Sequence, residues 1–150
     1  MEPFISKRDA AEHIRTARFR AGISWAQIAD QLGVAKEWST AALLGSHPMT
    51  AAQASTVQEL LDLDDAVTEA LQMQPYRGPL NEDVMSDPTI YRFHEAVMVY
   101  GPTIKELIHE EFGDGIMSAI NFQLDIQRRA HPDGDRVVVT FDGKFLDYKW

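Results

Sequence analysis

The feature that most limits how this chain can fold is a change of period. Up to Phe112 the apolar residues recur at helical spacing between cap signals, and from Phe122 they alternate with polar ones. Phe122, Leu124 and Ile126 alternate with Gln123, Asp125 and Gln127, the pattern of a half-buried strand. HPDGD at 131–135 reads as a turn, RVVVTF as a second strand, Asp142-Gly143 as a tight turn and KFL as a third strand. A helical part followed by a small antiparallel meander predicts an α+β protein. Two or three short strands rich in Val, Ile and Phe are marginal alone, and a second copy of the chain is the simplest cover for them.

The helical part carries its own punctuation. Lys7 to Ala21 places Ala10, Ala11, Ile14, Ala17, Arg18 and Phe19 at helical spacing, with Gly22 as the stop. Ser24 and Gln27 form a capping box for WAQIADQL, which Gly33 ends. A third helix is predicted over 35–44, a fourth over about 50–63 and a short fifth in AVTEALQM. Trp25 and Trp38 lie on apolar faces and read as core packing. Gln74 to Asp83, with two prolines and a glycine, reads as a linker. Asp87-Pro88 caps a helix IYRFHEAVMVY that Gly101-Pro102 should end. Thr103 and Glu106 then box a further helix, IKELIHEEF, broken by Gly113-Asp114-Gly115. The expected organisation is a helical bundle of helix-turn-helix, repressor-like type over 1–75 and a linker over 76–87. A catalytic and dimerisation domain of helix plus antiparallel strands follows over 88–150.

Composition removes several function classes. At 150 residues, 45% apolar and 25% charged, the chain is long enough for a real core. With no cysteine it has no disulfide framework, thiol nucleophile or thiolate metal site, which points to a reducing compartment and the cytoplasm. The N-terminal stretch mixes charge with apolar residues, so neither a signal peptide nor a membrane span is expected. The net charge of -9 opposes general binding to phosphate backbones. Neither half is basic: residues 1–84 hold 7 Lys and Arg against 12 Asp and Glu, and residues 85–150 hold 7 against 11.

The helix-turn-helix text could still mark a transcriptional regulator that senses a small anion. Its would-be recognition segment AKEWSTAALLG, however, offers only Lys36 as a cation, beside Glu37, and lacks Arg, Asn and Gln to read base edges. A bundle that binds no nucleic acid is therefore the expected reading. His94 and His109 lie outside HExxH spacing, and no metal is expected. Ser118 in GDGIMSAINF has no G-x-S-x-G frame and no evident histidine base, which speaks against a serine hydrolase. Arg92 and Glu95, three apart on one helix, read by spacing alone as a surface ion pair.

The wider text changes that balance. PTIYRFHEAVMVYGPTIKELIHEEFGDGIMSAINFQLDI resembles the catalytic block of the cyanase (cyanate hydratase, cyanate lyase) family. YRF, an acidic position two residues on, YG, HE, FGDGI and SAINF recur in that order and spacing. The resemblance spans the whole chain and is strongest over 88–126. It implies catalytic roles for Arg92, Glu95 and Ser118, and backbone contributions from Ile116 and Leu146. His94 stands where the family usually has an aromatic residue. The resemblance further implies a decamer of five dimers acting on cyanate and bicarbonate. No cofactor is implied, bicarbonate being a co-substrate. On this reading Arg92 and Ser118 hold a dianionic adduct, while Glu95 either orients Arg92 or delivers a proton to nitrogen.

Overall fold

A computed structural model describes residues 4–76 and 82–149. The chain divides between residues 77 and 78 into two units, each described by itself. The fold class is α+β.

The first unit is a bundle of α1 (Lys7–Ala21), α2 (Trp25–Leu32), α3 (Lys36–Leu43), α4 (Ala51–Leu61) and α5 (Asp65–Gln72). Its helices begin and end for local reasons. The Ser24 hydroxyl accepts the Gln27 N–H while the Gln27 side chain accepts the Ser24 N–H, and Thr50 and Gln53 repeat the arrangement at α4. Gly22 and Gly33 close α1 and α2 at φ 67° and 66°, where a side chain would be strained. Between these caps Ile14, Ile28, Leu43, Ala54, Val57 and Val67 are buried together, with Trp25 and Trp38 packed at the margin. Trp25 also carries the Arg18 guanidinium over its ring, 4.5 Å from the centroid. Phe19, which follows Arg18 in the helical pattern of α1, is 80% exposed.

Ile14 sits at 0% exposure among these residues, so Ile14→Ala removes buried methylenes and leaves a cavity. The expected cost is about 2–5 kcal/mol. Urea unfolding followed by tryptophan fluorescence measures it, and a loss well under about 1 kcal/mol would show that the site is not tightly packed.

The second unit contains α6 (Glu82–Ser86), α7 (Pro88–Phe112), β1 (Gly115–Arg129) and β2 (Arg136–Asp147). Of the expected linker, residues 77–81 lie outside the described residues, and 82–86 form α6. Asp87 caps α7 as expected, its carboxylate accepting the Thr89 and Ile90 N–H groups at 2.9 and 3.1 Å.

Two readings of this unit are corrected. Gly101-Pro102 does not divide the helix: α7 runs unbroken for 25 residues with Pro102 inside it. Proline keeps a φ compatible with a helix, so the cost of its missing N–H and of its ring against the preceding turn does not end the helix here. Thr103 and Glu106 consequently cap nothing. Among the described residues the strands number two, not three, because Asp142 and Gly143 lie within β2, opposite Gln123 and Phe122. The irregularity falls on the other strand. Between the pairs Met117↔Phe145 and Phe122↔Gly143, residues 118–121 of β1 face Lys144 alone, a bulge larger than the usual single extra residue.

This unit does not close a core within one chain. Among its described residues only Gly115 and Ser118 are buried, and α7 buries none. Phe93, Val97, Leu107, Phe141 and, at 97%, Ile120 stand open.

Candidate active site

Arg92 and Glu95 lie in the first two turns of α7, which Asp87 and Pro88 start at a defined residue. Their three-residue spacing places them on one face, and the Arg92 Nη1 donates to Glu95 Oε2 at 2.9 Å. The pair is open, with side-chain exposures of 69% and 49%. Such a pair adds little to stability. Its chemical content is the orientation it gives to a guanidinium whose remaining N–H groups stay accessible. His94 packs its ring against Tyr91 on the same helix, centroids 5.8 Å apart.

Ser118 is in a different setting. It opens the β1 bulge and is 7% exposed, the one buried polar side chain among the described residues of its unit. Its Oγ accepts two backbone N–H groups, from Ile120 at 3.1 Å and Asn121 at 2.9 Å. Both lone pairs of the oxygen are thereby occupied, leaving the hydroxyl proton to be donated elsewhere. The sequence reading missed this arrangement. Its signal is present in Ser118-Ala-Ile-Asn121, a serine followed by N–H groups two and three residues on, which is the local competition that turns offer to a strand. Ile116 and Leu146 are direct partners across the ladder, one pair removed from Ser118 along β1.

The chain thus brings Arg92 to Glu95, and Ile116 to Leu146 near Ser118. It does not join the two groups: among the described residues no hydrogen bond or ion pair links Arg92 or Glu95 to Ser118. Arg92 precedes the end of α7 by 20 residues, about 30 Å of helix at 1.5 Å per residue, before the chain turns into β1. Nor do the best-formed clefts gather these residues, since they are lined wholly by the first unit, one by Asp9, His13, Arg20 and Asp64. Among the described residues no three His, Cys, Asp or Glu side chains gather to hold a metal ion. No described helix is long and apolar enough to cross a membrane.

Comparison with known proteins covers both units of the chain. Residues 7–75 match the family model of the cyanate hydratase N-terminal region, and residues 82–150 that of the cyanate lyase C-terminal domain. A cyanate hydratase of Mycolicibacterium vanbaalenii is 54% identical over 146 residues, covering 97% of this chain and 95% of the relative. One from Methylibium petroleiphilum is 52% identical over 145 residues, covering 97% and 99%. The crystal structure of cyanase from T. urticae matches with a TM-score of 0.80 at 36% identity, covering 91% of this chain and 96% of that one. With both halves of the chain matched and half of its residues shared along nearly its whole length, the protein belongs to the cyanate hydratase (cyanate lyase) family.

Proposed function

We propose that this protein decomposes cyanate with bicarbonate as co-substrate, at sites built from Arg92, Glu95 and Ser118 of more than one chain. The observation that carries the reading is that a chain of this family holds an oriented guanidinium on α7 and a buried hydroxyl with a free proton on β1. Both are donors suited to developing negative charge.

Cyanate and bicarbonate are both anions, so their encounter must overcome repulsion and lost hydration. A bicarbonate oxygen attacks the cyanate carbon, and the new C–O bond gives an adduct with two negative charges. Arg92 takes its carboxylate-like end in the planar fork, and the Ser118 O–H and the backbone around Ile116 and Leu146 supply further donors. The adduct then breaks the bond between the former bicarbonate carbon and the bridging oxygen, releasing carbon dioxide and carbamate. Nitrogen ends with two hydrogens, one from bicarbonate and one taken up from outside. The Arg92 to Glu95 hydrogen bond favours an orienting role for Glu95, and the second proton comes from solvent or through that carboxyl. Carbamate goes on to ammonia and a second carbon dioxide without the protein. Positioning and electrostatics supply the rate, with no cofactor called upon.

The assembly belongs to the same proposal. The exposed apolar residues of α7 and of the sheet need cover, and copies of this chain supply it symmetrically, in a decamer of five dimers. The protein then acts in the cytoplasm on small anions, and the first unit binds no nucleic acid. Lys36, the cation of α3, is tied to Glu37 at 2.5 Å.

A site built for a dianionic adduct has a recognisable inhibitor profile. Azide, a linear anion like cyanate, should compete with it, and oxalate should bind at least about tenfold more tightly than acetate because it imitates the adduct. Steady-state inhibition of ammonia release measures both. Equal affinity for oxalate and acetate would remove the adduct-holding site.

A further inference from the structure

The proposed site rests on Ser118 pointing its proton at the substrate, and what holds it there lies on the opposite strand. β1 leaves the ladder after Met117 and rejoins it at Phe122, so nothing in the regular pairing fixes the residues between. Within that bulge the Ser118 oxygen is pinned by the Ile120 and Asn121 N–H groups. The backbone of Ser118 is pinned from the other side. A methyl group on Gly143 would stand 2.5 Å from Met117 Cγ and nearer still to the Ser118 carbonyl oxygen. No atoms pack that closely, and a main-chain carbonyl cannot swing aside as a side-chain tip does. Gly143 is the residue at which β1 returns to register, opposite Phe122. Its φ is not in the left-handed region, so conformational freedom does not explain the glycine. Close approach of the Ser118 backbone does.

We propose that Gly143 is a positioning residue for Ser118: its missing side chain lets the Ser118 carbonyl close onto β2, which fixes the turn that aims the hydroxyl. The inference rests on the proposed function for what the hydroxyl does, but on geometry alone for the turn. Any side chain at position 143 lifts the first residue of the bulge, lengthens the two bonds to Oγ and turns the donor away. Displacements of this size next to a reacting group cost about 10- to 100-fold in rate.

The test uses the full-length protein. Cyanate turnover by the unmodified protein comes first, so that failure of the proposed function is seen on its own. Gly143→Ala is then expected to lower kcat about 10- to 100-fold with a much smaller change in the KM for cyanate, and to weaken oxalate binding by calorimetry. In a Ser118→Ala background the same change should alter oxalate affinity by less than about twofold, because the group it positions is gone. Equal weakening in both backgrounds, activity within about twofold of the parent, or loss of assembly in both backgrounds would overturn the proposal by assigning Gly143 to general strand pairing. A second measurement does not depend on that variant folding. Amide exchange at Ile120 and Asn121 should quicken at least about tenfold in Ser118→Ala, and unchanged exchange would remove the turn on which the proposal stands.

Discussion

Arg92→Lys is expected to reduce bicarbonate-dependent cyanate turnover by at least about 100-fold while leaving the fold and the assembly intact. The charge is retained, so a site that needed only a cation would tolerate the change. What is lost is the planar fork that takes two oxygens at once, and the geometry by which Glu95 fixes it. The side chain is 69% exposed in the chain, and its pair with Glu95 contributes little to stability, so unfolding should hardly move. Initial rates of ammonia release with saturating bicarbonate, beside size-exclusion profiles of both proteins, decide the point. Near-normal turnover would return Arg92 and Glu95 to a surface ion pair.

The second large effect is a gain. Arg92→Leu and Ser118→Ala should each be inactive alone and regain part of the activity when unfolded together and reassembled. In the Arg92–Glu95 pair one chain offers a single guanidinium with a carboxylate at 2.9 Å, nearly neutral as a pair and a poor host for two anions. Arg92 also lies about 30 Å of helix away from the turn into the strand that carries Ser118. The exposed apolar face of α7 and the sheet then calls for partner chains to cover them. If Arg92 and Ser118 at one site come from different chains, random mixing gives both native groups to roughly a quarter of the sites. Size-exclusion chromatography must show mixed assemblies, and each variant refolded alone must stay inactive. Mixed assemblies at the background rate would sink the simple shared site, meaning that one chain supplies all the groups or that every copy at the interface is indispensable.

How much of this was legible in the sequence depended on whether the deciding forces were local. Ser24 with Gln27, and Gly22 and Gly33, announce the ends of α1 and α2, because a cap is satisfied within a few residues of itself. The same logic misread the second unit. Gly101-Pro102 looks like a stop by propensity, yet α7 continues through it to Phe112. Asp142-Gly143 looks like a hairpin turn, and its glycine serves instead the approach of a backbone 25 residues earlier in the chain. Arg92 and Glu95 were legible as a pair by spacing, but nothing in a three-residue interval distinguishes a catalytic pair from a surface one. The role proposed for them rests on the order of YRF, YG, FGDGI and SAINF, that is, on resemblance. The turn around Ser118 was written in the local sequence and passed over, because alternation is read from side chains and the turn is made by backbone N–H groups.

In the proposed reaction bicarbonate is consumed as a partner in bond formation, and stripping it from the assay tests this most directly. In buffer rigorously freed of bicarbonate and carbon dioxide, ammonia release from cyanate by this protein should fall to the uncatalysed rate and return in proportion to added bicarbonate until the site saturates. Full turnover persisting in the stripped buffer would mean that water attacks cyanate at this site, and would contradict the account.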